Sequence, residues 1–161
     1  SADREVMRIK QYIDFAFIAA YAALSVVMAR AMWRRQRWVA LGIVVFALGA
    51  AAFDVQENLA ILRLLPLPLS ETTRAAIEAI RTPSLVKWSL VSCALVLLAV
   101  LFARSPRWYL RALALLDGTA GILAGWGVFH NEWLPWAAML LSFGLLLSAA
   151  TLKLLTHESA S

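Results

Sequence analysis

The chain has 161 residues, of which 62% are hydrophobic and only 16% charged, where soluble domains carry about 25% charged residues. That excess of apolar side chains excludes an ordinary water-soluble core. The net charge of +5 is no argument for nucleic acid, because the basic residues end apolar runs, where membrane proteins anchor to headgroups. The lone cysteine, Cys93, excludes an internal disulfide, a CxxC redox pair and a cysteine-rich metal site.

A membrane span takes about 20 mostly apolar residues to cross a hydrocarbon layer roughly 30 Å thick. Five segments meet that length, at 12–33, 38–65, 84–104, 108–130 and 132–155. The fold class they predict is all-α: an integral membrane bundle of five transmembrane helices, forming one transmembrane domain over residues 1–161.

In chain order, "ADREVMRIK" is an amphipathic turn leading into the first span. That span carries Asp14, Tyr21 and Ser25 on one helical face, with Asp14 close enough to the boundary to be a wet helix start. "WRRQRW" divides it from the second span, whose stretch "FALGAAAFDVQENLAILRLL" admits Asp54, Gln56, Glu57 and Asn58 within one turn. Asp54, Glu57 and Asn58 stand at i, i+3 and i+4 and share a face. The same face carries Ala47, Ala50 and Ala51, small side chains that let a neighbouring helix come close.

The connection from Pro66 to Pro83 is the one long link. "PLPLS" is predicted to be extended, since each proline keeps its predecessor out of helical geometry. "SETTRAAIEAIR" is predicted to form a short interfacial helix between the second and third spans, with Ser70 as its N-cap and Ala75, Ala76, Ile77, Ala79 and Ile80 on its apolar side. Lys87 opens the third span and has the reach to meet Glu57. The fourth span sets Asp117, Gly121 and Gly125 on one stripe, with "GILAG" as a GxxxG match. "HNEWLPW", containing His130, leads to the fifth.

Tryptophans mark the span ends, Trp33, Trp38 and Trp108 on one side and Trp88, Trp126, Trp133 and Trp136 on the other. If "WRRQRW" is cytoplasmic, so are Arg104, Arg107, Arg111 and Lys153, a narrow majority of the basic residues. This predicts an N-terminus outside and a C-terminus in the cytoplasm. At 1.5 Å per residue, Asp54 lies roughly 16 Å and Asp117 roughly 20 Å from the outer ends of their helices. Tyr21 falls at a comparable depth.

An ionised carboxylate at that depth is costly unless paired or protonated. The sequence therefore predicts a polar zone in the outer half of the bundle, with Tyr21, Asp54, Glu57, Asn58, Lys87 and Asp117 as candidate ligand-binding residues. The favoured reading is a polytopic membrane protein that binds a lipid, a small amphipathic ligand or a partner helix there. Two alternatives stay open. One is an intramembrane acid–base or hydrolytic enzyme for a lipid-like substrate, drawing on Asp54, Glu57, Asp117 and His130. The other is a proton-coupled carrier that dimerises to enclose a pathway. Asp54, Glu57 and His130 lack metal-ligand spacing, so no metal site is assigned. The chain contains no P-loop, nucleophile elbow or HExxH, and no cofactor is identified. The partners implied are membrane lipids, an amphipathic ligand, transmembrane helices or a second copy of the chain, and not nucleic acid.

Overall fold

The computed structural model describes the backbone over residues 2–158, and the side chains within it except Arg35, Leu69, Asn131 and those beyond Thr151, Lys153 among them. Five long helices account for most of it: α1 (Ala2–Arg34), α2 (Gln36–Leu64), α3 (Arg74–Ala103), α4 (Trp108–Gly127) and α5 (Leu134–Glu158). The chain leaves helical geometry at Gln36, which divides α1 from α2 within "WRRQRW". Short 3-10 turns occupy Leu69–Glu71 and Asn131–Trp133.

Side-chain contacts fix the order of the helices. Tyr21 meets Asp54, Asp14 meets Asn58, and Arg4 reaches the carbonyls of Pro66 and Leu67. In α2 and α3, Gly49 lies against Leu90 and Gly42 against Leu97. Gly118 and Gly121 of α4 approach Ala99 and Leu95 of α3, while Gly127 and Asp117 of α4 approach Leu134 and Gly144 of α5. In every pair one residue number rises as the other falls, so successive helices run antiparallel. The α1–α2 junction and the 104–107 link therefore share one end, where Arg104 donates to Gln36 at 3.1 Å. The start of α1 and the links 65–73 and 128–133 share the other.

The expected interfacial helix is not a separate element. Helix α3 begins at Arg74 behind an N-cap from Thr73, whose hydroxyl accepts from the Ala76 amide at 3.2 Å. Ser70, expected to cap, sits instead in the Leu69–Glu71 turn. From Arg74 the helix runs through Pro83 to Ala103 without a break. A proline inside a helix forfeits one amide donor, but its fixed φ is helical. No glycine or asparagine follows Pro83 in α3 to end the helix there.

Among the described residues, four helices are long and apolar enough to cross a membrane: α1, α2, α3 and the part of α5 up to Thr151. Helix α4, expected as a span over 108–130, stops at Gly127 and is not among them. Arg111, Asp117 and its glycines dilute its apolar content, and its buried face includes Leu110, Ala114, Asp117, Ala120 and Ala124.

Helix α4 is also recessed. Gly125 rests on Ser92, so α4 ends near the level of Leu90, while α3 continues back to Arg74. At 1.5 Å per residue, α3 overshoots by roughly 20 Å. The parts of α1, α2 and α3 beyond that level hold Arg4, Arg8, Lys10, Arg63, Arg74, Glu78 and Arg81, every one exposed. The main apolar cluster, with Met28, Ile43, Leu98, Leu101, Phe102 and Leu110, fills the arginine-rich half of the bundle.

Candidate ligand-binding site

The polar residues of α2 meet partners from both neighbours. Asp54 is 6% exposed. Its Oδ1 accepts from Lys87 Nζ of α3 at 2.8 Å, and its Oδ2 accepts from the Tyr21 hydroxyl of α1 at 3.3 Å. One turn on, Glu57 forms a second ion pair with the same ammonium, through Oε2 at 2.5 Å. A turn of α2 is what places both carboxylates within reach of one flexible lysine stem.

The remaining member of the face, Asn58, is also buried and donates its amide to Asp14 Oδ2 at 2.7 Å. Asp14 is therefore no wet helix start. Because α1 begins at Ala2, Asp14 lies well inside it, on the face it shares with Tyr21, and both residues turn to α2. That shared spacing was the signal for it in the sequence. Gln56 is exposed, off this face.

Against these groups lies a cavity of about 190 Å³ between α1, α2, α3 and α5. Asp14, Tyr21, Asp54 and Lys87 supply its polar lining together with Ser25 and Ser142, and alanine and leucine side chains supply most of the rest. Ala47 and Ala50, the small residues of the α2 face, form part of its wall. They therefore leave space as well as permitting a close helix approach. Phe17 of α1 and Ser142 of α5 line the cavity and are also exposed on the bundle surface. The cavity thus opens between α1 and α5, where α5 touches the α1–α2 hairpin only sparsely.

No family model matches this chain, and neither a curated protein nor a solved structure matches it. What the site does has to be read from its own geometry.

Two sequence candidates lie elsewhere. Asp117 is 2% exposed, but it turns toward α5, where Gly144 leaves room for its Oδ1. Its Oδ2 has no hydrogen-bond partner. Its neighbour Gly118 lies against Ala99, twelve residues from Lys87 along α3, or roughly 18 Å. The expected similarity in depth between Asp54 and Asp117 fails because it assumed that all helices end in one plane, and α4 does not reach that far. Asp117 also parts from its glycines: Gly121 and Gly125 face α3, and the carboxylate faces α5.

His130 is exposed and stacks on Trp126 with ring centroids 4.7 Å apart, apart from the cavity lining. The acid–base set of Asp54, Glu57, Asp117 and His130 is not assembled in one place. Among the described residues no three His, Cys, Asp or Glu side chains converge as metal ligands. Sequence reasoning missed two further features of the site. Trp88, read as an end marker, lines the cavity, and α5 contributes its open side. Neither had a signal in local spacing, since both depend on which helices pack together.

Proposed function

We propose that this chain is an integral membrane protein of five spans, α4 included, that holds a small amphipathic molecule in the cavity between α1, α2, α3 and α5. The single observation that carries this reading is a largely apolar cavity with buried, mutually paired charges along one end. Such a site offers an apolar chain a dry wall and a polar head a fixed set of partners, the usual division of labour in small-molecule pockets. The opening between Phe17 and Ser142 supports entry from the lipid side. In this reading the arginine-rich end, with Arg34, Arg37, Arg104 and Arg107, faces the cytoplasm, and the N-terminus lies outside.

The test is thermal unfolding in detergent, with and without extracted native lipids, of the parent, Asp54→Asn and Ala94→Leu. Ala94 lines the cavity, and a leucine there fills it. Lipid-dependent stabilisation of the parent that is lost in both variants supports the reading. The same lipid response in all three proteins overturns it.

A further inference from the structure

We propose that the cavity selects a cationic head, an amphipathic amine or quaternary ammonium, over an anionic or neutral one. The inference rests on the cavity being a binding site, and it specifies the charge of what binds. The first observation is the charge balance at its polar end. Asp14 and Asp54 line that end, Glu57 stands behind it on the same lysine, and Lys87 is the one cation among the described residues that pairs with any of them. Asn58 donates its amide to Asp14 and brings no positive charge of its own. Among the described residues no other lysine or arginine lines the cavity, and those of α5 that do are Ala138, Leu141, Ser142 and Leu145.

A surplus of negative charge beside an apolar cavity is unfavourable because so little solvent is present to screen it. A ligand ammonium removes the surplus. A ligand carboxylate or phosphate enlarges it.

The second observation is independent of the acids. Phe17, Tyr21 and Trp88 line the same cavity, and aromatic faces attract cations, most strongly when water is excluded. The Trp88 indole already has the Lys87 ammonium 5.6 Å from its ring centroid. The volume of about 190 Å³ is many times the roughly 10–15 Å³ that one water molecule needs. That suits a trimethylammonium head with its first methylenes, the rest of the chain leaving between Phe17 and Ser142.

Three probes of one chain length separate the possibilities: decyltrimethylammonium, decanoate and decanol. Each is titrated into the protein in uncharged maltoside micelles below its own micelle-forming concentration, and binding is read by calorimetry. The Ala94→Leu protein supplies the baseline for partition into the micelle. Decyltrimethylammonium is expected to bind at least tenfold more tightly than decanoate, with decanol between them. Glu57→Gln and Asp14→Asn, which remove charge and keep shape, should each reduce that preference severalfold while decanol binding persists. Having both variants keeps the test decisive if one of them folds poorly. Decanoate binding as tightly as the ammonium, or a preference unchanged in both variants, overturns the inference and leaves the cavity reading standing. Parent binding no stronger than the Ala94→Leu baseline for all three probes overturns the cavity reading itself.

Discussion

Lys87 holds two carboxylates of α2 at once, and its side chain is only 14% exposed. Removing one partner of a buried ion pair leaves the other charge uncompensated, which typically costs about 3–5 kcal/mol. Lys87→Met keeps the length of the stem and deletes the ammonium, so Asp54 and Glu57 would face each other with no cation between them. A loss of that size is expected in detergent unfolding. Adding Asp54→Asn to Lys87→Met should recover part of it, because one stranded charge is gone. The double-mutant cycle measures this coupling directly. A double variant no more stable than Lys87→Met would show that charge pairing is not what joins α2 to α3 at this level.

The α3–α4 and α4–α5 seams hold α5 to the rest of the bundle through close helix contacts. A Cβ on Gly121 would lie 3.1 Å from Leu95 Cβ and 3.2 Å from the Ser92 carbonyl oxygen, and the Gly121 carbonyl accepts from the Ser92 hydroxyl at 2.7 Å. Gly121→Leu is therefore expected to force α3 and α4 apart and to give the largest drop in thermal stability along this seam. Ser92→Ala loses one interhelical hydrogen bond, worth about 0.6 kcal/mol on average in such bundles. Gly144→Ala falls between the two: its Cβ would stand 2.6 Å from Asp117 Oδ1, and overpacking of that kind costs about 1–3 kcal/mol. Melting temperatures in one detergent check the order. If Ser92→Ala proves the most damaging of the three, hydrogen bonding and not close packing holds the seam.

The helix order of the whole molecule is testable by labelling. Cys93 is exposed, so the background is Cys93→Ala. Single cysteines replacing Arg37 and Arg107 should react from one side of the membrane, and one replacing His130 from the other. Reaction of positions 37 and 130 from the same side would overturn the antiparallel order. The recessed end of α4 makes a further difference. With α3 overshooting by roughly 20 Å, a cysteine at the exposed Glu78 should behave as fully water-accessible. A cysteine shielded there by lipid would instead place this end of α3 within the membrane interface.

The length and composition of the apolar runs by themselves predicted an all-helical chain with helices able to cross a membrane, because a helix closes its backbone bonds within one segment. Helical periodicity put Asp54, Glu57 and Asn58 on one face, since that needs only the geometry of a single helix. The reach of Lys87 to Glu57 was legible for the same reason, once α2 and α3 were neighbours. The sequence did not reveal that α3 passes through Pro83, that α4 stops short, or that Asp117 and His130 lie apart from the site. Those outcomes depend on where each helix begins and on its axial offset from its neighbours. Close packing between helices sets that offset, and residues distant in the chain, such as Ser92 with Gly121 or Asp117 with Gly144, decide it.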